Sequence, residues 1–381
     1  MPLIRLKPFV LTLVMLALMK VQAMAQHNKW NSNLILEGRV HYGYLINHHL
    51  EMRIFNAHFP AFEINIGKET DGSERWQSEY NYPVIGISYW YSNLGNSSFL
   101  GSANAVFPYI NYPVIKTRRS QVNFRLGVGV AYISKPFDRL DNYKYIAIGS
   151  HINAAINLMG EYRHQISPRL NVVAGLSAMH MSNGSTKTPN YGINTPMVSI
   201  GAAYRLNKVT TVNSVKLKPA LYTFEFPEKK TLDFYAGNIV AFKDMGSEYG
   251  KNFMIYNFYG SIMKQLSFKT SAGIELNITH NQSDVYIAER DSLSLPLNGK
   301  MRLAIAPMFE IRTGRLSYDL GLGIYMYEVV IPAFAYFKLG FKYLVTPHIF
   351  AGLALHTHYG QADFVGIGIG YKFSGKYKGK L

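Results

Sequence analysis

From residue 120 to 133 the chain alternates without a break. Val122, Phe124, Leu126, Val128, Val130 and Tyr132 are apolar or aromatic, and Gln121, Asn123, Arg125, Gly127, Gly129 and Ala131 separate them. A period of two belongs to a strand whose faces meet different media. The same pattern returns in 150–164, where Ile152, Ala154, Ile156, Leu158 and Tyr162 oppose His151, Asn153, Asn157, Glu161 and Arg163. It is present again in 36–47, with Val40, Tyr42, Tyr44 and Ile46 against Glu37, Arg39, His41 and Asn47. One such segment fits a soluble sandwich equally well. Many of them, each roughly 10 to 14 residues long, predict an all-β chain, a transmembrane antiparallel β-barrel with one face on lipid and the other on a wet lumen.

The pattern is also duplicated. QVNFRLGVGVAY at 121–132 resembles RLSYDLGLGIYM at 315–326, and SPRLNVVAGLSAMH at 167–180 resembles TPHIFAGLALH at 346–356. Both halves close alike, with VSIGAAYRL at 198–206 and VGIGIGYKF at 365–373. Each half supplies about eight strand candidates, so the expected architecture is one barrel of about 16 strands. The alternative is two eight-stranded barrels in tandem, joined near Asn207 to Lys218, because a strand that closes a small barrel reads like one that continues a large one. The expected division is 1–25, 26–206 and 207–381. Glu69 to Tyr82 is longer and more polar than a periplasmic turn requires, and Asn281 to Asn298 reads as a long loop. Gly368, Tyr371 and Phe373 give the glycine and paired aromatics of a last barrel strand, expected at about 363–373. The lysines from Lys376 to Leu381 then form a solvated periplasmic tail.

The N-terminus supplies the compartment. Arg5 and Lys7 precede an apolar run from Phe9 to Met19, which is short for a membrane helix, and Ala23-Met24-Ala25 is a small-x-small cleavage site. This predicts a cleaved signal peptide with Gln26 as the first mature residue, and no cysteine there for a lipoprotein anchor. The chain has no cysteine at all, which excludes disulfides, thiolate nucleophiles and cysteine metal sites. Its formal net charge is +16. Nucleic acid is not the expected partner, because an exported protein never meets it. The expected location is the outer membrane of a Gram-negative bacterium, reached with the barrel-assembly machinery as a partner.

The candidate chemistry lies in the hairpin 168–206. Leu170, Val172, Ala174, Leu176 and Ala178 share one parity, and His180 and Ser182 continue it toward one rim. On the returning strand Val198, Ile200, Ala202, Tyr204 and Leu206 mark the lipid face, and the same parity carried back reaches Asn194. Three polar side chains thus converge on an apolar wall, where they are costly unless bonded to one another or placed at the interface. A serine beside a histidine oriented by a third polar group is the arrangement that activates a hydroxyl as a nucleophile. Asn183 and Gly184 follow at once, and Pro189-Asn190-x-Gly192 is a turn signal that folds the loop back. The expected oxyanion donors are therefore Asn183, Gly184 and Asn190.

At these residues the chain resembles the outer-membrane lipid A 3-O-deacylases. The resemblance covers about 34–206, and its specific part is His180-x-Ser182-Asn183, then Pro189-Asn190-x-Gly192, then position 194. It implies small eight-stranded barrels with the site on the outer wall, and a serine hydrolase that removes an ester-linked acyl chain from the lipid A of lipopolysaccharide. Ser182 would be the nucleophile and His180 the base; no cofactor is implied. One residue departs from the pattern: Asn194 stands where the family has Glu. An asparagine orients the imidazole but does not neutralise an imidazolium, and an acid-to-amide change at such a position costs roughly 10⁴-fold in a serine protease. Rim cations such as Lys187 suit the phosphates of such a lipid.

The second half has no second site. There His358 aligns with Ser182, and a one-residue deletion turns His356 toward the lumen. Two histidines without a third ligand assign no metal. The competing functional class is a non-catalytic outer-membrane pore or structural barrel derived from such an enzyme.

Overall fold

A computed structural model describes residues 33–46, 57–206, 231–246, 251–291, 301–328, 330 and 333–376. The expected signal peptide, the Asn207 to Lys218 junction and the tail beyond residue 376 lie outside the described residues. The first half forms β1 (Leu34–Tyr44), β2 (His58–Glu69), β3 (Val84–Ser92), β4 (Ala103–Lys116), β5 (Ser120–Ile133), β6 (Ile152–Gln165), β7 (Leu170–Ser182) and β8 (Ile193–Arg205). The second half forms β9 (Thr231–Asp244), β10 (Asn252–Gln265), β11 (Thr270–Asn281), β12 (Arg302–Thr313), β13 (Leu316–Tyr327), β14 (Ala335–Leu344), β15 (Ile349–His358) and β16 (Gln361–Lys376).

All neighbouring strands are antiparallel, and the strand number and barrel class are those expected. The closure is not. Val40 on β1 pairs with Phe62 on β2 and with Ile200 on β8, so the first eight strands close on themselves. Ile239 on β9 pairs with Asn257 on β10 and Gly368 on β16, which closes the second eight. The single 16-stranded barrel thus gives way to the tandem alternative. An eight-stranded cylinder has an interior just wide enough for side chains to fill, and these sequences supply the side chains.

The expected wet lumen is likewise replaced by a packed one. Trp90, Phe59 and Phe107 are fully buried near the loop end of the first barrel, under Tyr145, Ala147 and Ile148 from the β5–β6 loop. Below them lies a cage of three arginines and three glutamates. Arg125 reaches Glu63 at 2.7 Å and Glu37 at 2.8 Å, Arg163 reaches Glu37 at 2.6 Å and Glu161 at 3.0 Å, and Arg39 bonds both Glu37 and Glu161. Charges removed from water are tolerated only when paired this completely. The second barrel follows the same logic, with Arg312 on Asp233 at 2.5 Å and Lys342 on Glu310 at 2.7 Å.

Among the described residues two connections carry helices. α1 (Arg75–Glu79) lies in the polar 69–82 segment, and α2 (Gln282–Arg290) occupies the start of the expected long loop at 281–298. The Asn281 side chain caps α2 by accepting from Ser283 N. Asp284 then pins the helix to the barrel through two 2.7 Å bonds from Arg302.

The barrels touch at both ends. At the turn end Tyr80 donates to the Arg312 carbonyl at 2.7 Å, and the Tyr112 hydroxyl lies 2.9 Å from Thr313 Oγ1. Burial pushes the Tyr80 hydroxyl up to about 12, so it remains a donor throughout the neutral range. At the loop end the β7–β8 connection meets β9 and β16.

Candidate active site

Parity and register place the site residues together. On β7 the exposed Val172, Ala174, Leu176 and Ala178 face outward, while Val173, Ser177, Met179 and Met181 are buried inward; His180 and Ser182 continue the outward set. His180 stands directly opposite Asn194 on β8. Directly opposed side chains on one face of an antiparallel pair are close neighbours, and here the contact is a bond: His180 Nδ1 to Asn194 Oδ1 is 2.6 Å. On the other side of the ring, His180 Nε2 is 3.0 Å from Ser182 Oγ.

These two distances determine the tautomer. An amide oxygen can only accept, so the proton of the neutral imidazole sits on Nδ1. Nε2 then presents its lone pair to the Ser182 hydroxyl, as a general base requires. Gly192 makes room for this arrangement. It adopts φ +83°, and a Cβ there would lie 2.9 Å from His180 Cε1. The glycine of the turn signal therefore serves the approach of the ring as well as the turn.

The wall around the pair is apolar. On β6, Ala154 is opposite Ser182 and Ile156 opposite His180, between the exposed Ile152 and Leu158. On β8 the exposed Val198 and Ile200 continue the outward face below Asn194.

The loop after Ser182 differs in part from its expected role. Asn183 N donates to Asn190 Oδ1 at 2.9 Å, and Asn183 Nδ2 donates to Ser150 Oγ at 2.9 Å and to the Lys187 carbonyl at 2.7 Å. Asn183 is buried and its donors build the loop, so they do not face an oxyanion. Gly184 has φ +64°, and Asn190 spends its side-chain oxygen, not its NH2 group, on the loop. Ser150, two residues before β6, carries no sequence signal for this contact. Three bonds from farther away were also illegible. Thr188 N and Oγ1 donate to Asp244 Oδ2 at 2.8 and 3.0 Å, and Ser185 Oγ donates to the Ala362 carbonyl at 2.8 Å. Between the barrels at this end opens a cleft of about 720 Å³ whose lining includes Arg139, Lys187 and Lys251.

In the second barrel His356 is buried in the lumen, stacked on Phe364 with ring centroids 4.4 Å apart. His358 Nε2 is 2.9 Å from the Tyr325 hydroxyl. Both rings face inward and neither is beside a hydroxyl on the lipid wall.

Two family models match the chain. Residues 61–203 match "Lipid A 3-O-deacylase (PagL)", and residues 231–376 match "Acyloxyacyl hydrolase, C-terminal domain". No curated protein matches it. Among solved structures, the chain is similar to the outer membrane enzyme PagL at 16% identity, over 43% of this chain and 97% of that one, with a TM-score of 0.32. It is also similar to Neisserial surface protein A (NspA) at 12% identity, over 46% of this chain and 97% of that one, again with a TM-score of 0.32. With the two models between them spanning most of both barrels, the chain belongs to the outer-membrane lipid A 3-O-deacylase family.

Proposed function

We propose that the chain is a serine acyl-ester hydrolase that removes an ester-linked acyl chain from lipid A in the outer leaflet. The observation that carries this reading is the bonded row Asn194, His180, Ser182 on the lipid-facing wall. His180 Nε2 takes the Ser182 proton as Oγ attacks the ester carbonyl, then returns it to the leaving alkoxide. Water, activated by the same nitrogen, hydrolyses the acyl-enzyme. The Gly184 N–H and the Asn190 NH2 group are the donors this reading assigns to the oxyanion. The acyl chain lies along Ile152, Ala154, Ile156 and Leu158, and the phosphorylated sugar sits at the rim near Lys187. Such a substrate never leaves the bilayer, which explains a hydrolytic centre on the outside of a barrel.

The pore reading has little to work with, since both lumens are filled by buried side chains and ion pairs. Mass spectrometry of lipid A from cells with and without the protein tests the proposal. The wild-type chain is expected to remove one acyl group and Ser182→Ala to leave it in place. An identical acylation pattern in all three samples rules the hydrolase out.

A further inference from the structure

We infer that Asp244, on the second barrel, is a positioning residue for the site on the first. It holds the 183–189 loop in the shape that sets Gly184 and Asn190 beside Ser182. This inference rests on the proposed hydrolase reading.

Asp244 ends β9, and both its carboxylate oxygens are used. Oδ2 accepts from Thr188 N at 2.8 Å and Thr188 Oγ1 at 3.0 Å, while Oδ1 accepts from Gly246 N at 2.9 Å. Its backbone N–H donates to the Ser185 carbonyl at 2.7 Å. One residue thus grips the loop at two points, three residues apart. A third and a fourth tie come from β16, where Ser185 Oγ meets the Ala362 carbonyl at 2.8 Å and Gly184 packs on Val365. A Cβ at Gly184 would lie 2.4 Å from Val365 Cγ2, so the two barrels are in direct contact at the residue after Asn183.

The bonds internal to the loop cannot replace these. Asn183 N to Asn190 Oδ1, Asn183 Nδ2 to the Lys187 carbonyl and Thr186 Oγ1 to the Asn183 carbonyl fold the segment on itself. A glycine-bearing loop with Thr186 and Lys187 exposed has little apolar burial to fix it. The carboxylate supplies what is missing, because charge-assisted bonds to N–H and O–H groups are the stronger kind. A small error in the placement of an oxyanion donor is enough to slow a reaction by one to two orders of magnitude. In the second barrel His358 stands at the place of Ser182, and this contact gives that barrel a part in the first barrel's chemistry.

The test uses the full-length chain and Asp244→Asn, which keeps the shape but turns an NH2 group toward a donor. The protein has no cysteine, so Lys187→Cys provides a single site for a nitroxide label on the loop. The spectrum is expected to show a slow label in the parent and a several-fold faster one with Asp244→Asn. In unlabelled protein acting on purified lipid A in detergent micelles, Asp244→Asn is expected to lower kcat about ten- to a hundredfold with KM within about twofold. In an Asn190→Ala background the same change should cost several-fold less than in the parent, since one of the two donors it positions is already gone. Unchanged heat-modified gel migration shows that both barrels remain closed. An unaltered label spectrum overturns the clamp, and a faster label with unaltered kcat overturns the positioning role. If the parent protein leaves lipid A intact while the label still responds to Asp244→Asn, the hydrolase reading fails and the clamp stands.

Discussion

Asn194 is where the chemistry of single residues decides the outcome. Its oxygen is 2.6 Å from His180 Nδ1, so it fixes the tautomer as well as a carboxylate would. It brings no charge. In the proposed hydrolysis, attack by Ser182 makes the imidazole an imidazolium, and a neutral amide leaves that charge to be stabilised by the surroundings. Asn194→Asp is isosteric, keeps the acceptor where it is and adds the charge at the point where it develops. We expect it to raise kcat on lipid A by at least about tenfold near neutral pH, with the upper bound set by the roughly 10⁴-fold effect of the reverse change in a serine protease. Steady-state kinetics on purified lipid A would show it, and an Asp variant no faster than the parent would mean that Asn194 does more than orient the ring.

At the scale of elements, strands were the legible part of this chain and their closure was not. A strand between lipid and a packed lumen must alternate, so β5 and β6 can be read from Val122 to Tyr162 almost to the residue. The pair His180 and Ser182 was legible for the same reason, and Asn194 followed from hairpin parity. Closure depends on β8 finding β1, a pairing between Arg205 and Ile35 that leaves no local mark. The role of Asn183 was hidden too. Its position after Ser182 suggests an oxyanion donor, but whether its amide is free depends on Ser150, Lys187 and Asn190 in the folded loop. The inward faces carry their own prediction. Glu37 accepts from Arg39, Arg125, Arg163 and Asn65 at once. Glu37→Gln removes the charge that three buried guanidinium groups share, and losing one member of such a buried set costs about 3–5 kcal/mol. The unfolding free energy of the first barrel, from urea titration in lipid vesicles, should fall by that amount; a change under about 1 kcal/mol would mean that water enters the lumen and screens the cage.

For the whole molecule, the question is whether two closed barrels act as one body. The packing is end to end of their height: Tyr80 and Tyr112 bind the Arg312 to Thr313 corner at the turns, and Asp244 and Ala362 bind the 183–189 loop at the other rim. Neither contact is legible in the alternating pattern, because outward aromatic residues look the same whether they meet lipid or a second barrel. Two separated points of contact prevent one cylinder from rocking on the other, and a loop clamped across such a boundary stays in place only if they do not rock. The pair Tyr112 and Thr313, whose oxygens are 2.9 Å apart, makes this testable in a chain without cysteines. With Tyr112→Cys and Thr313→Cys together and a protease site inserted between residues 207 and 230, a short bis-maleimide should hold the halves together on a denaturing gel after cleavage. Each single substitution should release two fragments. Cross-linking in the membrane that proceeds no faster with the pair than with Tyr112→Cys and a cysteine at the exposed Ile262 of β10 would mean that the barrels drift independently. The second barrel could not then hold the loop beside Ser182.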